Sequence, residues 1–151
     1  MTTTPHPTHR EPVAHSNKVS TRDLLRTGAV AGVFAAVCTT MVAAIASAAG
    51  VSLEVDGEAI PLPAFAWWTL VCAALGVVLA RLLRVRRRFV VVTTVAVALS
   101  LIPPIAAPDD TATKVVLVGL HLLAAAIIIP TLGQRLPRTT PSSSDYLAVQ
   151  N

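Results

Sequence analysis

Residues 115–133 read VVLVGLHLLAAAIIIPTLG, a run of 19 residues without a charged side chain. A helix needs about 20 mostly apolar residues to cross the roughly 30 Å hydrocarbon layer of a bilayer. The run is continuously apolar, whereas a barrel strand alternates apolar and polar positions. A helix also satisfies its own backbone polar groups, which hydrocarbon requires. The stretch Val115–Gly133 is therefore predicted to be a transmembrane helix.

Three further stretches have the same character, and we place them at Leu25–Ala49, Phe65–Arg84 and Phe89–Ala107. The chain is 54% hydrophobic and 13% charged, about half the charged fraction of a soluble domain. The sequence predicts an all-α integral membrane protein, a four-helix transmembrane bundle over residues 25–133. Residues 1–24 and 134–151 are predicted to be disordered cytoplasmic tails, too short for a soluble catalytic domain.

The charged residues divide between the two ends of these spans. Eleven of the twelve Lys and Arg lie at or before the start of span one, around the loop between spans two and three, or after span four. The exception is Lys114, and most acids share its side: Glu54, Asp56, Glu58, Asp109 and Asp110. This asymmetry predicts that both termini are cytoplasmic. The bias towards Ala, Val and Arg is typical of a GC-rich bacterial genome, so the bacterial plasma membrane is the expected location. Since the basic groups lie at span ends, nucleic acid is not an expected partner.

A basic cluster follows span two and consists of Arg84, Arg86, Arg87 and Arg88. Arginines next to a span attract anionic lipid headgroups. Two interpretations stay open, namely contact with headgroups and a role limited to fixing the topology. The lipid bilayer is in either case the first expected partner.

The loop between spans one and two has the pattern of a β-hairpin. Ser52–Val55 alternates polar and apolar residues, Asp56-Gly57 follows, and Glu58–Ile60 completes the segment. An Asp-Gly pair suits a type I′ turn, which needs positive φ at both central residues. We expect a small hairpin that covers the outer face of the bundle, because an isolated hairpin is marginal in water.

Small residues recur at helical spacing on the first two spans. The row on span one is Gly28, Gly32, Ala36, Thr40, Ala44 and Ala48, and the row on span two is Thr69, Ala73, Gly76 and Ala80. Small side chains let helix backbones approach closely, which drives helix association in lipid. The rows predict either packing within the bundle or formation of a homo-oligomer.

Span three contains Pro103-Pro104 close to its outer end. Proline removes hydrogen bonds from the helix and kinks or ends it. Carbonyl groups freed in this way need partners from protein or water. The outer third of span three is therefore expected to face protein or a wet crevice.

His121 is the strongly titratable side chain that lies inside a span rather than at its end. Ionisable residues within the membrane are costly and are candidates for function. Counting residues from the outer ends of the spans gives Ser100, Cys72 and Thr40 a similar depth. The sequence thus suggests an intramembrane polar layer of His121, Ser100, Cys72 and Thr40.

Three roles for His121 stay open. In the first, it is a neutral histidine that bonds to Ser100 or a backbone carbonyl and holds spans three and four together. In the second, it belongs to a ligand, proton or metal site. In the third, it is an interfacial side chain. A zinc site wants three or four ligands, and Cys72 and His121 supply only two, so no metal is expected. Cys38 and Cys72 differ in depth by roughly 9 Å, beyond the reach of a disulfide, and are expected to be free thiols.

Nucleotide-binding, hydrolase and metalloprotease motifs do not occur in the sequence. We therefore expect no catalytic residue, no cofactor and no enzymatic activity. The leading hypothesis is a structural or partner-binding membrane subunit, as a homo-oligomer or with a membrane protein partner. The alternative is a binder or transporter of a small molecule, lipid or ion with its site near His121. A membrane enzyme with His121 as base lacks a visible nucleophile.

Three features together resemble the domain-of-unknown-function 6069 family. They are the small-residue first span, the segment Val55–Pro63 (VDGEAIPLP) and the segment His121–Pro130 (HLLAAAIIIP). The resemblance covers roughly residues 22–138 and implies a small four-span membrane protein of actinomycetes. It implies no established activity, so no functional residue follows from it.

Overall fold

The computed structural model describes residues 20–138. Four helical segments in it are long and apolar enough to cross a membrane, and the third is divided in two. The helices are α1 (Thr21–Ala48), α2 (Leu62–Leu83), α3 (Arg86–Ser100), α4 (Ile102–Ala106) and α5 (Thr111–Gly133), and the strands are β1 (Glu54–Val55) and β2 (Glu58–Ala59). The predicted all-α four-helix membrane architecture is confirmed. The predicted tails lie outside the described residues, apart from residues 20–24 and 134–138.

Each helix begins three or four residues before the predicted span, for example at Thr21 instead of Leu25 and at Thr111 instead of Val115. The added first turns contain polar or charged residues or, in α2, a proline. Apolar runs mark the part of a helix that lies in hydrocarbon. Backbone hydrogen bonding continues beyond that part into the headgroup layer, so the helices are longer than the runs.

Helix α1 packs against α2 and α5, and α3 packs against the same two helices from the opposite side. The start of α1 and the segment after α5 both contact the region where α2 ends and α3 begins. Arg81 donates a hydrogen bond to Thr21 Oγ1, and the Arg86 backbone N–H donates to Pro137 O at 2.9 Å. We call this end of the bundle the basic end, because the described arginines lie there: Arg22, Arg26, Arg81, Arg84, Arg86, Arg87, Arg88, Arg135 and Arg138. The opposite, acidic end carries the hairpin and Lys114.

The small-residue rows are used within the bundle. A Cβ on Gly32 would lie 2.8 Å from Ala73 Cβ, and a Cβ on Gly28 would overlap the side chain of Val77. On the other face of α2, a Cβ on Gly76 would lie 3.3 Å from Leu132 Cδ1 of α5. Missing side chains thus let α1, α2 and α5 approach one another, which supports packing within the bundle.

The row on α1 is buried only in its first half. Gly28, Gly32 and Ala36 are buried, whereas Ala48 is exposed and the buried seam continues through Thr39, Ala43 and Ala46. A step of four residues turns about 40° beyond a full helical turn. A strict four-residue row therefore rotates away from the partner helix, and the contact moves to positions reached by steps of three.

A polar contact joins α1 and α2 in the half of the bundle nearer the acidic end. The Oγ1 atoms of Thr39 and Thr69 are 3.1 Å apart, and both residues are buried. Thr69 donates its hydroxyl proton to Phe65 O at 2.7 Å. Thr39 Oγ1 also has Ala36 O as an acceptor at 3.1 Å, so its single proton is shared between that carbonyl and Thr69 Oγ1. The pair is a polar interhelical contact of the kind that stabilises membrane bundles.

The expected hairpin is present at the acidic end. Strands β1 and β2 pair antiparallel with Val55 opposite Glu58. Asp56 and Gly57 form the turn with φ of 54° and 79°, which is the type I′ requirement. Leu53 precedes the strands, has a φ of 50° and is 2% exposed. Its side chain packs with Ala43 and α5 and fixes the hairpin to the bundle.

The third span is interrupted at Leu101, between α3 and α4. Pro103 and Pro104 have no N–H, so the carbonyls of Leu99 and Ser100 lose their usual helical donors. The hydrogen bonds resume with Ile105 N–H donating to Leu101 O at 3.2 Å. The expected effect of the two prolines is thus observed, and the α4 segment packs against α5.

Candidate functional site

A cavity of about 370 Å³ opens at the acidic end of the bundle. Its walls are the start of α2, the α4 segment and α5, and the hairpin lies beside it. The lining residues are Val55, Ile60, Ala64, Phe65, Trp68, Pro103, Pro104, Ala107, Leu117 and His121. We call this space the acidic-end cavity. Nine of these ten side chains are apolar or aromatic, so the imidazole of His121 is its ionisable group.

The cavity results from the sequence of the third span and of the loop before α2. The regular helix of the third span is interrupted at Leu101, and the α4 segment packs on α5. Pro103 and Pro104 therefore face the start of α2 across the open space. Val55 and Ile60 belong to the hairpin segment, whose apolar side chains pack towards α5 while Glu54 and Glu58 are exposed. The hairpin thus contributes an apolar wall to the cavity.

The hydrogen bonding of His121 determines which ring nitrogen is available. Nδ1 lies 3.0 Å from Leu117 O, one turn earlier on the same helix. A carbonyl oxygen only accepts, so Nδ1 carries the proton and donates it. In the neutral ring Nε2 is then the unprotonated nitrogen, and no described residue hydrogen-bonds to it. His121 thus presents one acceptor to an otherwise apolar cavity, and it does not join spans three and four.

The other members of the suggested polar layer lie elsewhere. Ser100 is exposed and donates to Val97 O at 2.8 Å on its own helix. Cys72 is exposed, and Thr40 lines a separate apolar groove beside Leu70. Among residues 20–138, no hydrogen bond joins any two of the four. Counting along a helix gives the depth of a residue but not the direction of its side chain, and the directions differ here.

Cysteine pairing and metal ligation were the other chemical roles considered for the side chains inside the spans. Cys38 and Cys72 are both free, as expected from their difference in depth. Between residues 20 and 138, no three His, Cys, Asp or Glu side chains converge on a possible metal position.

The basic cluster lies where the chain passes from α2 to α3. Arg84 ends α2 in the left-handed conformation with a φ of 49°. Arg87 and Arg88 are exposed in the first turn of α3, and Arg86 is half-buried with its N–H bonded to Pro137. Three of the four guanidinium groups are thus on exposed residues at the basic end.

Asp110, which the sequence places among the acids of the outer side, is a helix cap, a role that sequence reasoning did not identify. Its carboxylate accepts hydrogen bonds from the Thr113 N–H at 2.9 Å and the Thr113 hydroxyl at 3.1 Å. The backbone hydrogen bond, followed by the hydroxyl, lowers the pKa of Asp110 below its usual value. This side chain caps the N-terminus of α5. The signal in the sequence is an Asp placed just before the start of an apolar run.

Sequence reasoning also missed residues that shape the cavity. Leu117 looks like an ordinary span residue, and Phe65 and Trp68 look like interfacial aromatics. Only their positions around His121 and Pro104 show that they line one space. The useful signal was the proline pair, which predicted that the outer third of span three faces protein or a wet crevice, and both prolines line the cavity.

Comparison with known proteins gives a family and no activity. No curated protein and no solved structure matches the chain. The profile of a family of unknown function, DUF6069, matches residues 19–138. That match covers the whole bundle, including the hairpin, His121 and the basic cluster. The chain belongs to this family of unknown function, DUF6069.

Proposed function

We propose that this protein is a non-enzymatic binding protein of the bacterial plasma membrane that holds a small amphipathic molecule in the acidic-end cavity. The basic end lies on the cytoplasmic side in this proposal, following the positive-inside rule. The cavity then opens on the outer side of the membrane. The observation that carries the proposal is one imidazole nitrogen without a partner among residues 20–138, in a cavity otherwise lined by apolar and aromatic side chains.

The chemistry of the lining defines the class of ligand. A volume of about 370 Å³ falls in the range of small-molecule sites, which are mostly apolar with a few polar groups that orient the ligand. Trp68 and Phe65 offer aromatic surface, and His121 Nε2 accepts one hydrogen bond. The fitting ligand has an apolar or aromatic body and one hydroxyl or similar donor.

The structural or partner-binding subunit is supported less well by the geometry. Its motivation was the small-residue rows, and Gly28, Gly32 and Gly76 are all used against neighbouring helices of the same chain. A homo-oligomer or a partner complex would therefore need a different surface. Native mass spectrometry from lipid nanodiscs tests this hypothesis directly, because it gives the number of copies and any retained protein partner.

The binding proposal is tested with 4-bromophenol, which has an aromatic body, one hydroxyl and a heavy atom that quenches tryptophan fluorescence. In a Trp67→Phe background, Trp68 is the remaining tryptophan. We expect saturable quenching by 4-bromophenol. His121→Leu should weaken the affinity for this probe about tenfold, because one hydrogen bond is lost. Bromobenzene has no hydroxyl and should quench both proteins equally.

The matched control keeps Trp67 and carries Trp68→Phe, which moves the reporter out of the cavity. Its quenching should rise linearly with probe concentration. Equal saturable quenching with and without His121, in variants of unchanged thermal stability, would refute the proposal. Native mass spectra that show a stable protein complex in place of small-molecule binding would favour the partner-binding subunit.

A further inference from the structure

A groove of about 570 Å³ runs between α1 and α5 at the basic end, on the opposite side of the membrane from the acidic-end cavity. It begins among charged residues, Asp23 and Arg26 of α1 and Arg135 after α5. It continues between apolar side chains, with Val30 and Phe34 on one wall and Ile127 on the other. We call it the basic-end groove.

The charged part of this groove favours an anion. Two arginines against one aspartate leave the lining with a formal charge of +1. Arg26 lies on α1 and Arg135 follows the end of α5, so the groove has a guanidinium group on each side. Guanidinium groups bind phosphate oxygens through paired, charge-assisted hydrogen bonds.

The apolar part of the groove distinguishes a lipid from a free phosphate. Phe34 lies eight residues beyond Arg26, and Ile127 lies eight residues before Arg135. Because α1 and α5 run antiparallel, both walls extend about 12 Å from the charged end into the hydrocarbon layer. Val30 and Phe34 are 65% and 60% exposed. A phosphate ion would leave this apolar surface uncovered, whereas an acyl chain would cover it.

We propose that the basic-end groove is a site for one anionic glycerophospholipid. Its phosphate lies between Arg26 and Arg135, and one acyl chain runs along Phe34 and Ile127. Basic pockets between helices on the cytoplasmic side are typical places for such headgroups. The site is separate from the cluster at Arg84–Arg88 and does not depend on the ligand of the acidic-end cavity.

The site is tested by native mass spectrometry of the full chain in detergent with added dioleoyl phosphatidylglycerol. We expect one saturable lipid adduct, and we expect Arg26→Gln/Arg135→Gln to weaken it about tenfold or more. The control Arg22→Gln/Arg138→Gln removes the same charge from exposed residues outside the groove and should leave the adduct unchanged. Dioleoyl phosphatidylcholine, which has the same chains and no net charge, should bind more weakly to the unmodified protein.

Two further variants keep the test decisive if the double arginine variant does not fold. Asp23→Asn removes the negative charge of the lining and should tighten phosphatidylglycerol binding. Phe34→Ala shortens the exposed apolar wall and should weaken it. Equal weakening in the groove and control arginine pairs would overturn the proposal. So would displacement of the lipid by millimolar inorganic phosphate, which would make the site a phosphate site without a chain-binding wall.

Discussion

Gly32 of α1 lies so close to Ala73 of α2 that a Cβ on Gly32 would be 2.8 Å from the Cβ of Ala73. Both atoms are fixed to helix backbones, so neither moves without a shift of a whole helix. This contact sets the distance between the first two spans. It also explains why both small-residue rows are needed inside the bundle.

Gly32→Ala is expected to destabilise the bundle by about 1–3 kcal/mol, because the added methyl group overpacks this contact. Adding Ala73→Gly removes the opposing methyl group and should recover part of the loss. The matched control is Gly119→Ala, since a Cβ at Gly119 meets nothing within 4 Å. The control should be neutral or stabilising by up to about 1 kcal/mol through helix propensity. Chemical unfolding in micelles is measured for the unmodified protein, both single variants, the double variant and the control, and additive effects of Gly32→Ala and Ala73→Gly would contradict the contact.

Arg84 ends α2 with a φ of 49°, a conformation that costs an L-residue free energy and glycine very little. Arg84→Gly is therefore expected to stabilise the folded protein by roughly 1 kcal/mol. Arg87→Gly removes the same charge from the first turn of α3 and should be destabilising by a similar amount. The measurement is the free energy of unfolding, and a loss of stability in Arg84→Gly would show that its side chain outweighs the strain.

Leu53 fixes the hairpin beside the acidic-end cavity, with its side chain 2% exposed. Leu53→Ala is expected to cost about 2–4 kcal/mol by creating a cavity. The backbone N–H of Ile60, which donates to Leu53 O at 3.0 Å, should exchange its proton faster. Hydrogen exchange that increases throughout α1 and α2 instead would show that Leu53 supports the whole bundle and not the hairpin alone.

The lowered pKa of Asp110 makes stability depend on pH. A carboxyl whose pKa is lower in the folded state stabilises the protein above its unfolded pKa of about 3.9. This contribution is lost as the pH falls through the folded pKa, as the cap at Thr113 loses its acceptor. We expect Asp110→Ala to lower the Tm at pH 6 and to have a progressively smaller effect as the pH falls through the folded pKa. Asp109→Ala is the control, and an equal, pH-independent change in both variants would contradict the cap.

Local signals in the sequence predicted much of this fold. Continuous apolar runs predicted four spans, Asp56-Gly57 predicted the hairpin turn, and Pro103-Pro104 predicted the break in span three. Each of these features depends on residues close together in the chain. The helix starts were missed because polar first turns such as Thr111–Lys114 lie outside the apolar runs.

The site was predicted only in part, because it depends on the rotation of each helix about its axis. His121 was identified from its cost in the membrane. Ser100 and Cys72 have a similar depth but are exposed on other faces. Trp68, Leu117 and His121 come from two different helices and line one cavity. A single sequence contains no signal for such relative orientations.

The most direct test of the central claim is ¹⁵N NMR of the His121 imidazole, with His6, His9 and His15 replaced by Gln to remove overlap. We expect Nδ1 to be protonated and Nε2 unprotonated, because Nδ1 donates to Leu117 O. Adding 4-bromophenol should shift the Nε2 resonance saturably and leave Nδ1 nearly unchanged. Two results would contradict a binding role for His121. One is a neutral ring that carries its proton on Nε2 before 4-bromophenol is added, and the other is an Nε2 resonance that does not respond to 4-bromophenol.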